Sequence, residues 1–99
     1  MLSNFKTYQL SLELYQRCRQ VALPHHLKDQ LLRAASSISF NLAEGSAKPT
    51  PKDRAKFYFI ALGSLREVQT VIAMEPEIMH HAHAVADSVG AHLYKLCKS

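Results

Sequence analysis

The run RAASSISFNLAEG, Arg33 to Gly45, decides the fold. Ala34, Ala35, Ser36, Ser37 and Ser39 are too small to fill a core alone, and Arg33, Asn41 and Glu44 are too polar to bury without partners. The positions resolve the conflict. Leu27, Leu31, Ala34/Ala35, Ile38 and Leu42 recur at helical spacing and form one apolar stripe. Arg33, Ser37, Asn41 and Glu44 fall at i, i+4, i+8 and i+11, within about 80° of arc at 100° per residue. They form a second, polar line on the same helix. A helix of such small residues lets its neighbours approach closely. Further along, Gly63 and Ser64 make another small patch, with Glu67 one turn beyond Gly63. The pattern predicts a polar layer in which Arg33, Asn41, Glu44 and Glu67 pair while Ser36, Ser37 and Ser64 donate hydrogen bonds.

Working outward, Pro24, the Pro49/Pro51 pair and Pro76 cut the chain into four segments, each with helical periodicity. The first is expected from about Asn4 to Ala22, capped by Asn4 or Ser3. Its apolar face combines Phe5, Tyr8, Leu12 and Tyr15 with Leu10, Leu14, Cys18 and Val21. The second runs from about His25 to Glu44, with Gly45 as the residue that ends it. The third opens with a start signature: Thr50 as N-cap, Pro51 in the first helical position and Asp53 facing the helix dipole. It runs to about Glu75 and is apolar nearly all round from Phe57 to Met74. Such a helix is central or meets another subunit on its second face. The fourth spans about Glu77 to Leu96, with Ile78, Ala82, Val85, Val89, Leu93 and Leu96 in the core. No alternating strand pattern or hairpin dipeptide interrupts this order. The expected fold class is all-α: one domain over residues 1–99, an antiparallel up-down-up-down four-helix bundle.

Composition agrees. The chain has 99 residues, and 47% are hydrophobic, too rich for a disordered segment. No apolar run approaches the roughly 18 residues of a membrane span. The first residues do not read as a signal peptide, because Glu13 and Arg17 break the apolar stretch; a cytoplasmic location is expected. Cys18 and Cys97 match no metal spacing and read as reduced packing residues. The net charge of +4 permits a polyanionic partner without requiring one.

Two motifs carry a family resemblance. One is Arg-Ala-Ala-Ser-Ser-Ile-x-x-Asn-Leu-Ala-Glu-Gly, Arg33 to Gly45. The other is Ala-x-Gly-Ser-Leu-x-Glu, Ala61 to Glu67. Together they resemble the bacterial four-helix bundle family that includes proteins encoded in intervening sequences of 23S ribosomal RNA genes. The likeness covers roughly residues 5 to 75. It implies an up-down-up-down bundle, a ring-like homo-oligomer (typically a pentamer) and a proposed role in binding nucleic acid. The family's recurrent polar positions correspond to Arg33, Ser37, Asn41, Glu44, Ser64 and Glu67. After Val68 the resemblance leads one to expect a leucine-rich continuation and a glycine-containing turn, where this chain reads QTVIAMEPEIMHHAHAVADSVG.

Three groups of side chains invite a chemical reading. Glu44 and Glu67 could form a catalytic carboxylate pair, but neither metal-spaced histidines nor a nucleophile with its base accompanies them, and no enzyme is expected. His80, His81, His83 and His92 contain no His-x3-His pair and no Glu-x-x-His, so they read as solvated side chains, with no metal or other cofactor expected. Lys48, Lys52, Arg54 and Lys56 form the densest basic patch, beside a helix start whose backbone N–H groups suit phosphate. Arg17, Arg19 and Lys28 cluster near the connection between the first and second helices. The leading expectation is an oligomeric module that binds RNA or DNA backbone through basic loops, using Lys48, Lys52, Arg54, Lys56, Arg17 and Arg19. It would assemble through the apolar faces of the first and third helices. The alternative is a protein-recognition scaffold with no nucleic-acid affinity.

Overall fold

The computed structural model describes residues 1–98. After a single 3₁₀ turn over Leu2–Asn4 come four helices: α1 (Lys6–Arg19), α2 (His25–Ser46), α3 (Pro51–Met74) and α4 (His80–Lys98). No strand occurs among the described residues. The body measures 40 × 21 × 20 Å. At 1.5 Å per residue α3 is roughly 36 Å long and runs most of the body's length. α1 packs on α2 and α4, and α3 packs on α2 and α4.

Individual contacts fix the register. Gln30 meets Glu67, Ser37 meets Ser64, and Gly45 meets Tyr58, so positions rise along α2 as they fall along α3. Ser11 meets Ser39, while Lys28 reaches the end of α1. Leu14, Leu31, Ile38, Leu42, Leu65, Val68, Met79, Val89 and Leu93 form one hydrophobic cluster from all four helices.

Several boundaries differ from the sequence expectation, each for a local reason. α1 begins at Lys6 with Phe5 as N-cap and no capping side chain. Ser3 and Asn4 belong to the preceding 3₁₀ turn, and Gln9 holds the Ser3 carbonyl oxygen. α1 also stops at Arg19, before Ala22, because Val21 turns into the core and Lys28 Nζ takes the carbonyl oxygens of Arg19 and Val21. Its buried line is Thr7, Ser11, Leu14 and Cys18, which leaves Leu12 41% exposed. Gly45 does not end α2. It lies inside the helix without a positive φ, and the C-cap is Ala47. α4 begins at His80, three residues later than expected. Glu75 to Met79 form a turn in which Met79 N–H donates to the Glu75 carbonyl. That shift brings Met79 and Ala86 into the core and leaves Ile78 exposed. The start of α3 is as the sequence indicates: the Asp53 N–H donates to Thr50 Oγ1 at 3.2 Å, with Pro51 in the first turn.

Candidate functional site

The opening run of small residues sits on α2, between α1 and α3, and bonds to both. Ser39 Oγ lies 2.8 Å from Ser11 Oγ, and Ser11 Oγ donates to the Tyr8 carbonyl oxygen at 2.7 Å. On the other flank Ser64 Oγ bonds Ser37 Oγ at 2.8 Å, and Asn41 Nδ2 donates to Ser37 Oγ at 3.1 Å and to the Ser37 carbonyl at 2.9 Å. Each small hydroxyl satisfies a polar group inside a close helix contact, which the leucine expected of a bundle core could not do.

The charged half of the expected polar layer does not join it. Arg33, Glu44 and Glu67 are exposed. Glu44 pairs with Lys48 on its own helix at 3.8 Å, and Glu67 accepts from Gln30 Nε2 at 2.7 Å. No ion pair among the described residues uses Arg33. Close approach of α2 and α3 seats the serines and Asn41, and the longer side chains escape to water, where they need no partner. Ser36 bonds only its own helix, donating to the Arg33 carbonyl at 3.0 Å. The pairing of Ser11 with Ser39 was missed. A serine at helical spacing between Leu14 and Thr7 was its only signal.

The basic residues gather where α2 ends and α3 begins. Lys52 and Lys56 are exposed on the first turns of α3. Lys48 Nζ stands 5.1 Å above the Phe57 ring. Arg54 Nη1 donates to the Lys48 carbonyl oxygen at 3.0 Å, tying the loop to the helix. Two chain ends meet here. Leu96 of α4 shares a small cavity with Pro51, Arg54 and Tyr58, so Lys95 and Lys98 lie on nearby turns. The Phe5 ring stands 6.3 Å from the Tyr58 ring, which brings Lys6 to the same end. Sequence reading did not group Lys6, Lys95 and Lys98 with the loop, because only packing makes them neighbours. The backbone contributes less than expected. Pro51 has no N–H, and Thr50 takes those of Asp53 and Arg54, which leaves Lys52 N–H alone in the first turn. Anion attraction at this end therefore rests on side-chain cations.

Arg17 and Arg19 lie at the opposite end. Arg17 bonds Glu13 Oε2 and donates to the His81 carbonyl at 2.9 Å, while His81 Nε2 lies 3.1 Å from the Arg17 carbonyl. This clasp joins α1 to α4 and engages Arg17 in structure. Arg19 is exposed. His83 Nδ1 is 3.4 Å from Asp87, and no cluster of three potential metal ligands forms among the described residues. Both cysteines are free. Burial pushes the Cys18 thiol up to about 11, and nearby Lys28 offsets part of the effect. Burial likewise raises Tyr58, against a smaller lowering by Arg54. Among the described residues no helix is long and apolar enough to cross a membrane.

A second surface is apolar. Phe40 on α2 is 71% exposed, Phe59 and Ile60 on α3 are 57% and 52% exposed, and Met74 is 57% exposed. Phe40 borders a groove of about 390 Å³ shared with Tyr8, Leu12 and Tyr15 of α1.

A sequence model described as 23S rRNA-intervening sequence protein matches residues 3–99. The match extends through α4, beyond the residues 5 to 75 on which the two motifs bear. No curated protein matches the chain.

Proposed function

The chain belongs to the 23S rRNA-intervening sequence protein family, and we propose that it is a non-enzymatic, cytoplasmic, homo-oligomeric module that binds the backbone of RNA or DNA. Its four helices form an antiparallel up-down-up-down bundle in this reading. The observation that carries the proposal is the convergence on one end of Lys48, Lys52, Arg54 and Lys56 with Lys6, Lys95 and Lys98, against Glu44 and Asp53 as the acidic side chains there among the described residues. Oligomerisation, as a pentamer or another closed ring, multiplies that end into a basic rim and gives a modest net charge of +4 a large local field. The exposed Phe40, Phe59 and Ile60 supply apolar surface for subunit contacts. Glu44 and Glu67 each have a separate polar partner and are exposed, which speaks for a surface role over paired acid–base work.

The test is titration of nuclease-treated protein with labelled RNA and duplex DNA over a range of salt. Log affinity should fall linearly with log salt, with slope about −0.9 per phosphate neutralised on duplex DNA and about −0.7 on single strands. Replacing Lys52, Arg54 and Lys56 together by Ala should flatten that slope by roughly 2–3 while the helix content stays. Absence of binding at low salt sinks the proposal. The same apolar surface then favours a second reading, a scaffold for another protein, supported by a protein partner that stays bound after nuclease treatment.

A further inference from the structure

A cavity beside the basic end is not explained by backbone binding alone. It is a cleft of about 690 Å³ between the N-terminal turn and the paired ends of α2 and α3. Leu2 and Phe5 form one wall, Ala43 and Ala47 another, and Arg54 and Tyr58 close it. Its volume falls within the roughly 300–1,000 Å³ typical of small-ligand sites. Ala43 and Ala47 are one turn apart on α2, and their small size leaves the space open. The one charged side chain is Arg54. Its bond to the Lys48 carbonyl holds the guanidinium at the cleft, and it makes no other hydrogen bond among the described residues. Several of its five donors therefore remain for an anion. Tyr58 presents a neutral phenol at neutral pH, as any tyrosine does, and burial disfavours its phenolate further.

We propose that this cleft receives the base of one unpaired nucleotide while Arg54 holds the adjoining phosphate. The inference rests on the nucleic-acid reading above. A largely apolar cleft with the Arg54 guanidinium at its edge and Asn4 and Ser46 in its lining fits a ligand with a flat, apolar body and an anionic group. Lys48, Lys52 and Lys56 continue the positive charge outside it, which suits a chain of phosphates better than an isolated anion. Phe5 and Tyr58 contribute aromatic surface at an interplanar angle of 58°, one ring tilted against the other, and nucleobases favour aromatic contacts regardless of sequence. A duplex keeps its bases stacked and cannot enter. The site thus distinguishes single strands, loops and bulges from helical nucleic acid.

The experiment compares three labelled ligands of equal charge on the full chain: oligo-uridylate, an abasic phosphodiester chain of the same length, and a short duplex. The parent should bind oligo-uridylate about tenfold more tightly than the abasic chain. Ala47→Leu fills the cleft without changing charge and should erase that preference while leaving the abasic and duplex affinities in place. Lys52→Ala should weaken all three ligands alike. Equal affinity of the parent for oligo-uridylate and the abasic chain overturns the base site but leaves backbone binding intact; this comparison needs no variant. A tenfold preference that survives in a folded Ala47→Leu protein places base recognition elsewhere and also overturns the proposal. Failure to bind any of the three removes the nucleic-acid reading itself.

Discussion

Replacing Gly45 by Ala should destabilise the protein, although helix propensity alone says the opposite. Gly45 lies in the last turn of α2, where Ala is favoured over Gly by up to about 1 kcal/mol. Packing opposes this. A Cβ on residue 45 would stand 2.7 Å from Tyr58 Cε1, 3.0 Å from Tyr58 Cδ1 and 3.1 Å from Phe57 Cβ. Carbon atoms in contact prefer about 3.5–4.0 Å, so the ring has to retreat by about 1 Å. It has little room, since Tyr58 is 7% exposed and lies against Phe5, and the Phe57 Cβ is attached to the backbone. Overpacking of this kind costs about 1–3 kcal/mol. The net is a loss of about 1–2 kcal/mol, or a Tm lower by roughly 5–15 °C for a domain of this size. Thermal and urea unfolding followed by circular dichroism, at one fixed protein concentration, reads it. A Tyr58→Ala background supplies the control. With the ring gone, Gly45→Ala should become neutral or stabilising by about 0.5 kcal/mol. An unchanged or raised Tm in the single variant, or an equal loss in both backgrounds, would refute the steric argument.

Other outcomes follow from the same structure. Ser37→Ala removes the shared partner of Ser64 and Asn41 and should cost about 1–2 kcal/mol, while Ser64→Ala costs about 1; unfolding of the double variant should show less than the sum. Cys18 has a folded pKa raised from 9.0 to about 11, so its contribution is fully present below pH 9 and is lost as pH rises towards 11. Two pH units at about 1.4 kcal/mol each bound the effect at roughly 3 kcal/mol, and Cys18→Ala should flatten the unfolding free energy over that interval. Phe40→Ser should leave monomer stability within about 0.5 kcal/mol, since the ring is 71% exposed, yet reduce the assembled mass measured by light scattering. An unchanged mass would refute a role for Phe40 in the proposed assembly.

Four helices, the Thr50–Pro51–Asp53 start of α3 and most of the core were legible in the sequence, because periodicity and capping are local properties. What escaped was decided between elements. Gly45 reads locally as a helix end, but its purpose is to admit Tyr58 from α3. Ile78 fits the stripe of α4 by spacing, yet the turn at Glu75 to Met79 changes the phase and buries Met79 instead. Arg33 and Glu44 share a line with Ser37 on α2, and Glu67 lies one turn from Ser64 on α3, and a line on a helical wheel does not say how deep a long side chain lies. Their free ends reach water from the edge of the interface, while the short hydroxyls of Ser37 and Ser64 bond each other within it. The basic end was half visible: Lys48 to Lys56 are contiguous, whereas Lys6, Lys95 and Lys98 arrive only through packing.

The two uses of small residues on α2 explain why its outward face is free to do something else. Ser39 and Ser37 bond α1 and α3 on opposite flanks, and Ile38 and Leu42 fill the core between them. The monomer's packing needs are thereby met without Phe40. A phenylalanine 71% exposed does little for a lone subunit, since the apolar area it leaves in water contributes no burial energy. In the proposed assembly its stabilising contact comes from another subunit. The cations belong to the helix ends, while Phe40 lies along the side. On the proposed reading, assembly and anion binding use different surfaces, and their variants should separate: Phe40→Ser changes mass first, whereas Lys52→Ala changes the salt slope first. Avidity links the two. A ring holds several basic ends at fixed spacing, so loss of assembly should weaken binding to a long strand far more than binding to an oligonucleotide that reaches one subunit.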